Sequence, residues 1–454
     1  MTGNPVYSRL PRRYFVVAMC FLAVFVCYID RVNISVAALA MQERFGWSET
    51  TKGFVLSSFF IGYLLFQVPS GYLANRYGGK RVLGIAVVLW SIFTFLTPTA
   101  AASLPLLIAV RIAMGLGEAA TFPGAYSLYA HWVPAPERAR AIAVQMSGIP
   151  VGTVFALLTT GLIVTQFGWP SAFYVFGTVG LIWACSWFLT VHDKPQTDPR
   201  VSPAERALLP EQRPALVRTE PVPWKALFTT PAVWALIINH FCTNWGLYTL
   251  MAWLPSYFKK AHSLSLESSG LYSSAPWLIM FVMLNVAAWL ADFWVRRGTT
   301  LTVVRKWMQC IALLGSAAFL ILATQAATSD GALLLLCGAL GTLAFAWSGF
   351  GSNHLDIAPR YADILVGITN TAGTLPGIFA VVLTGWLVDV TGGYTISFLL
   401  IAAVNTIGAA VWLAFSTAQP IFSETLAASL RGAAAANTAA LPIDLRAPAS
   451  GSAK

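Results

Sequence analysis

The sequence predicts an all-α integral membrane protein with twelve transmembrane helices in two pseudo-symmetric six-helix bundles. Three observations carry that expectation. Of 454 residues, 57% are hydrophobic and only 10% charged, with mean hydropathy +0.69. Soluble domains carry about 25% charged residues, so the surplus apolar surface must face lipid. Apolar runs long enough to cross a bilayer recur from Phe15 to Phe415. That recurrence excludes a soluble enzyme, a disordered chain and a single-anchor protein. Finally, the polar punctuation of the first six runs is echoed in the last six.

Residues 1–14 form a short polar segment with Arg9, Arg12 and Arg13. The run from Phe15 to Leu39 is too long for a signal-peptide core and shows no convincing cleavage site, so it is the first span. Spans over 51–73, 81–98, 104–130, 139–165 and 171–190 complete a first bundle, 15–190. A central loop, 191–231, follows. Between His192 and Lys225 it is Pro-rich, with six basic and five acidic residues. Spans over 232–258, 269–291, 303–325, 331–352, 363–388 and 394–415 make a second bundle, 232–415. The tail, 416–454, is rich in Ala and Pro and is expected to be disordered.

The net charge of +10 comes from 28 Lys and Arg, nearly all between apolar runs. That is a topology signal rather than a phosphate-binding stripe, so no nucleic-acid partner is expected. With a cytoplasmic N-terminus, 22 basic residues fall inside and four outside: Arg44, Lys52, Lys259 and Lys260. Arg31 and Arg111 lie within spans. Both termini are therefore expected in the cytoplasm. The cysteines (Cys20, Cys27, Cys185, Cys242, Cys310, Cys337) sit in apolar runs without metal spacing, so packing is the expected role and no metal or cofactor is implied.

The halves match in detail. Leu73-Ala74-Asn75 closes the second span and Leu290-Ala291-Asp292 the eighth, each followed by basic residues. His131 with Pro136-Glu137-Arg138 follows the fourth span; His354 with Pro359-Arg360 follows the tenth. Six plus six spans about a polar hinge is a two-bundle transporter pattern, with its substrate site near the midplane between halves.

Gly71-Tyr72-Leu73-Ala74-Asn75-Arg76-Tyr77-Gly78-Gly79-Lys80-Arg81 resembles the loop signature of the major facilitator superfamily, with Asn75 where that family usually has Asp. A narrower similarity spans nearly the whole membrane region. It rests on Tyr28-Ile29-Asp30-Arg31-Val32-Asn33, on Arg111 to Glu118 followed by Pro123, Trp132, Pro134 and Glu137-Arg138, on His240 to Trp245, and on Ser352 to Tyr361. These segments resemble the anion:cation symporter family, the branch of sialin, the vesicular glutamate transporters and the plant phosphate and ascorbate transporters. The resemblance implies a secondary carrier, not an enzyme, acting as a monomer in the bilayer. It also implies cytoplasmic gate residues: Arg76, Lys80, Arg81, Glu137, Arg138, Asp292, Asp356 and Arg360. Glutamate-type members have Arg where Thr243 stands and His where Leu56 stands, which argues against glutamate. The short Met41–Thr50 loop has no glycosylation sequon, and no transit peptide precedes Phe15. The expected location is a bacterial inner (plasma) membrane.

Charges within spans are costly and are functional candidates by default. Asp30 and Arg31 lie mid-span. Arg111 and Glu118, seven residues apart, share one helix face about 10 Å apart along the axis. In the resembled fold the first and fourth spans line the cavity, which puts the four groups within reach of a common ligand. Fully ionised they sum to zero; protonating one acid leaves +1, which attracts an anion. That is a scheme for proton-driven anion symport, with Glu118 and then Asp30 as proton carriers. Arg31 can hold a carboxylate by two parallel hydrogen bonds. The competing reading is a static ion-pair network that fixes packing. Further substrate candidates are Tyr63, Arg111, Asn370, Ser348, His240 and Asn244; His240 reads equally well as a packing residue. The expected substrate is a small organic anion such as a sugar acid, coupled to H+ or to Na+. The alternatives are an inorganic phosphate carrier and a proton-coupled drug exporter. The latter is disfavoured because Ser147-Gly148-Ile149-Pro150-Val151-Gly152 matches the exporters' glycine-proline motif poorly.

Overall fold

The computed structural model describes residues 11–209, 222–359 and 361–421. Arg360, the start of the N-terminal segment, part of the central loop and most of the tail lie outside these residues. Twelve spans form two six-helix bundles, and the described residues contain no strand. The first bundle comprises Arg12–Phe45, Glu49–Tyr77, Gly79–Ala100, Leu104–Trp132, Ala135–Phe167 and Trp169–Thr190. The second comprises Pro231–Ala261, Leu266–Arg296, Leu301–Ala323, Ser329–Ile357, Ala362–Thr391 and Thr395–Phe415. Eleven of these are long and apolar enough to cross a membrane; Pro231–Ala261 is equally long but carries Asn239, His240 and Asn244 on a buried face.

The helices outrun their apolar cores. The first continues past Leu39 to Phe45 and stops where Gly46 adopts a left-handed φ of 66°. The second begins after Ser48, whose hydroxyl accepts from the Thr51 amide. Hydropathy marks only what lipid touches, whereas caps set the true ends.

Two expected spans are broken rather than continuous. The fourth is helical over Leu104–Glu118, interrupted at Ala119–Ala120, and resumes over Thr121–Trp132. The Ser70 and Thr121 hydroxyls take up the Ala119 and Glu118 carbonyls freed there. The tenth runs Ser329–Leu343, tightens into a 3₁₀ turn over Ala344–Trp347, and resumes over Phe350–Ile357. The break falls at the same place in each half.

Glycine lets the second and fourth spans touch backbone to backbone. A Cβ on Gly62 would lie 1.9 Å from the Ile112 carbonyl oxygen, and one on Gly115 would lie 2.1 Å from that of Phe59. This contact sets Phe59 and Tyr63 against the face that carries Arg111 and Glu118.

Between the halves, the first span packs on the seventh, the second on the eleventh, and the fifth on the eighth. At the end where the first span starts, the central loop caps it: Glu205 accepts the backbone amides of Arg12 and Arg13, both at 2.9 Å. Arg12 also pairs with Asp198 at 3.0 Å, and Arg13 with Glu137 at 2.8 Å. We call this the basic end. The tail was expected to be disordered from Ser416. Its first residues instead lie against the second bundle: Thr417 O accepts from Asn353, Ala418 N donates to Thr302, and Ile421 N donates to Ile357 O.

Candidate functional site

Arg31, Tyr63 and Glu118 each stand fourteen residues from the end of their helix opposite the basic end, about 21 Å deep on three neighbouring spans. The depths converge on one buried cluster. Glu118 Oε2 accepts Arg31 Nη2 at 2.9 Å and Nε at 3.1 Å, and the Cys27 thiol at 3.1 Å. Arg31 is 6% exposed and Glu118 0%, so this is a desolvated pair whose strength depends on the fork geometry. Among the described residues, Glu118 Oε1 has no hydrogen-bond partner. Aromatic rings flank the guanidinium: Tyr28 at 4.8 Å, Phe59 at 4.7 Å and Tyr63 at 4.9 Å.

Arg111 and Glu118 share one helix face but do not bond each other. The carboxylate pairs with Arg31 of the first span instead. Arg111 is buried and makes no ion pair among the described residues. Its Nη1 donates to Met114 Sδ at 3.3 Å, and its guanidinium lies 5.5 Å over Phe59. It stays within electrostatic reach of Glu118, Arg31 and Asp30. Asp30 is fully buried, with the Trp90 and Thr94 side chains as the hydrogen-bonding groups beside its carboxylate.

A narrow, nearly closed cleft lies between the halves here. Arg31, Arg111, Ser35, Ile34, Leu56, Phe59 and Phe60 line it from the first half, and Tyr248, Met251 and Ala252 from the second. Tyr248 and Tyr28 join the site although neither was singled out in the sequence. Tyr28 sits one turn before Arg31, and Tyr248 one turn after Asn244 on the same face, a spacing that could have flagged both.

The second-half candidates sit nearer the basic end. His240 and Asn370 are each twenty-one residues from the opposite end of their helices, about 10 Å beyond Arg31. The His240 ring lies 4.9 Å from Phe350 and its Nδ1 has no partner. Asn244 donates to Gly373 O at 2.7 Å. Ser348 lies at the break in the tenth span, where its carbonyl accepts Arg305 Nη1. Asn370 is half-buried.

The gate candidates are spread along the basic end. Glu137 binds Arg13, and Asp356 binds Arg305 at 2.7 Å. Lys80 reaches the Phe188 carbonyl, and its own amide donates to Asp193. Arg76 donates to Tyr72, and Arg138 reaches the Val133 carbonyl at 3.5 Å. Arg81 and Asp292 are exposed. None of these bonds crosses between the bundles.

The opposite end is tied across the halves. Lys259 binds Glu43 at 2.5 Å, Lys260 binds Glu49, and the Lys52 ammonium donates to Ser256 at 3.0 Å while pairing with Glu49 at 2.7 Å. Asp389 accepts the amides of Glu49 and Thr50. Lys52 is fully buried, under the Trp253 ring. Outside the membrane, at the basic end, burial pushes the Asp198 carboxyl up, but hydrogen bonds from Arg200 and Arg12 dominate and hold it down at about 2.

Comparison with known proteins agrees with this architecture. The family model described as Major Facilitator Superfamily matches residues 20–381. An Arabidopsis thaliana ascorbate transporter, chloroplastic, is 41% identical over 420 residues, covering 92% of this chain and 77% of its own. An Arabidopsis thaliana sodium-dependent phosphate transport protein 1, chloroplastic, is 41% identical over 418 residues, covering 92% and 81%. Among solved structures, a bacterial homolog of the human lysosomal transporter Spinster, inward-facing and unoccupied, superposes with TM-score 0.75 at 18% identity, covering 92% of this chain and 98% of that one. With the bundle geometry, the matched length and the anion-transporter relatives together, the chain belongs to the Major Facilitator Superfamily, in its branch of anion transporters.

Proposed function

We propose that the chain is a proton-coupled symporter that takes up a small hydroxylated organic anion, such as a sugar acid. The observation that carries this reading is the Arg31–Glu118 pair beside an unpaired Arg111 on the wall of a cavity between the halves. While Glu118 is charged it occupies the Arg31 fork. A proton on Glu118 cancels that charge and frees the guanidinium for the carboxylate of a substrate. Loss of the proton returns Arg31 to Glu118 and expels the anion. Proton and anion therefore favour each other's binding, the reciprocal coupling a symporter needs.

The lining supports an organic acid. Phe59, Phe60, Ile34, Leu56 and Met251 suit the C–H faces of a carbon chain, whereas Arg31, Arg111 and the phenols suit its charge and hydroxyls. A compact inorganic dianion could pair with the two guanidiniums but would leave the apolar part of the wall without a partner. The phosphate reading is kept as the second one, because the sodium-dependent phosphate relative is 41% identical.

We read the basic end as cytoplasmic, from the positive-inside count. The ties across the halves at the opposite end then support an inward-facing state. Gate roles for Glu137, Arg138, Asp356 and the basic residues near Lys80 stay part of the proposal, with Glu118 and Asp30 as the coupling acids. The location we propose is a cell inner membrane; the two relatives above are named chloroplastic, and fractionation of the native cell tests the difference.

The deciding experiment is uptake in proteoliposomes. An imposed inward pH gradient, without sodium, should drive accumulation of a six-carbon aldonate. Accumulation of phosphate alone, driven by sodium, would select the second reading.

A further inference from the structure

Transport requires the ligand to be felt by both halves, since a ligand shifts a conformational equilibrium only through contacts that differ between states. On the cavity's first-half wall, Arg31, Arg111 and Ser35 carry polar side chains. On its second-half wall, Tyr248, Met251 and Ala252, the hydroxyl of Tyr248 is the one hydrogen-bonding side-chain group. That hydroxyl is within electrostatic reach of Arg31, Tyr63 and Tyr28. The Tyr248 ring packs against Phe60 of the first half at a centroid distance of 4.6 Å, so the ring is held at the seam. Tyr248 stands thirteen residues from the outer end of its helix, level with Arg31 at fourteen. Its hydroxyl makes no hydrogen bond among the described residues, whereas Tyr28 Oη accepts Arg31 Nη1 at 3.5 Å.

We propose that Tyr248 is a specificity-determining residue of this site, whose hydroxyl bonds a hydroxyl of the organic acid while Arg31 holds the acid's carboxylate. The inference rests on the substrate reading above and adds a division of labour. The first half reads the charge, and the second reads the hydroxyl that separates a sugar acid from a plain fatty acid of equal length. An acid without hydroxyls can dock on Arg31 but gives the second half nothing to hold, so it binds without favouring closure. This fits the general asymmetry of polar recognition. Apolar walls discriminate weakly, whereas a site built to bond a hydroxyl penalises the analogue that lacks it.

The test uses the full chain in proteoliposomes with radiolabelled gluconate, and unlabelled gluconate, hexanoate and inorganic phosphate as competitors. Tyr248→Phe keeps the ring and its contact with Phe60 and removes only the hydroxyl. It should raise the KM for gluconate about tenfold, the loss of about 1.4 kcal/mol, and leave inhibition by hexanoate unchanged. A deoxygluconate series on the unmodified chain supplies a second reading that needs no variant. One deoxy position should cost the unmodified chain about tenfold and cost Tyr248→Phe nothing further. Equal losses for gluconate and hexanoate would mean that Tyr248 only packs at the seam, which overturns the inference. So would an unchanged gluconate KM in Tyr248→Phe. An unmodified chain that takes phosphate and no gluconate overturns the substrate reading itself, an outcome visible before any variant is made.

Discussion

The Asp389 carboxylate, at the end of the eleventh span, accepts the backbone amides of Glu49 and Thr50 at 2.9 and 2.8 Å and so caps the second span from the other half of the protein. A cap of this kind contributes about 0.5–2 kcal/mol, and its charge complements the helix dipole. Here that stabilisation exists only while the halves are closed at this end. Asp389→Ala should therefore favour opening there by about fivefold, which corresponds to about 1 kcal/mol. The readout is the rate at which a membrane-impermeant maleimide, added at that face, labels Met251→Cys in a cysteine-free background. An unchanged rate in a folded protein would show that the cap does not hold the gate.

Arg31 is the second test. Arg31→Ala removes the fork and strands Glu118, a fully buried carboxylate. Breaking a buried pair costs about 3–5 kcal/mol when the remaining charge stays, but Glu118 can take up a proton and limit the cost. Uptake should vanish while the protein stays in the membrane. Arg31→Lys should restore less than about a tenth of it, because an ammonium cannot reproduce two parallel bonds. Adding Glu118→Gln to Arg31→Ala should recover melting temperature but no uptake. Near-normal uptake by Arg31→Ala would remove Arg31 from the substrate site.

What the sequence revealed follows from what each signal measures. Hydropathy located the spans because lipid contact selects apolar residues along whole helices, yet it missed their ends, which Gly46 and Ser48 set. It also missed the breaks after Glu118, where the Ser70 and Thr121 hydroxyls take up carbonyls, and at Ala344–Trp347, where Arg305 bonds the Ser348 carbonyl and Gln309 the Phe350 amide. The spacing of Arg111 and Glu118 placed both on one face, but spacing along one helix says nothing about which neighbour lies opposite. Glu118 meets Arg31 from another helix at the same depth, a pairing that only the folded bundle defines. Tyr248 was overlooked for the same reason, although its spacing from Asn244 places the two on one face. An aromatic residue in an aromatic-rich helix gains meaning only when the other half supplies Arg31.

At the basic end, Asp198 joins the central loop to Arg12 and Arg200. Its folded pKa of about 2 lies below the ordinary 3.8. A depressed acid contributes stability that is complete above the unfolded value and is lost as pH falls through the folded one. The shift corresponds to about 2 kcal/mol. Asp198→Asn should therefore lower the melting temperature in detergent at pH 6, and the gap to the unmodified chain should narrow progressively between pH 4 and pH 2. No narrowing over that window would mean that Asp198 acts through shape and not through its charge.

Glu118 offers the sharpest test of coupling. Glu118→Gln mimics the protonated acid: it keeps the size of the side chain but cannot carry the negative charge that holds Arg31. Arg31 is then permanently available, so the anion should still bind, with affinity equal to or higher than that of the unmodified chain. Net uphill uptake needs the empty carrier to discard its proton and recapture Arg31 before turning round, and Gln cannot do so. Exchange of labelled for unlabelled anion never visits the empty state and should survive in part. Asp30 lies within electrostatic reach of Glu118, so the pH profile of the unmodified carrier belongs to the pair. Glu118→Gln should flatten that profile, and Asp30→Asn should only displace it. The measurement is uphill uptake under an imposed pH gradient beside counterflow without one, in the same vesicles. Uphill uptake that persists in full in Glu118→Gln would transfer the coupling role to Asp30, while loss of counterflow as well would make Glu118 a packing partner of Arg31 and nothing more.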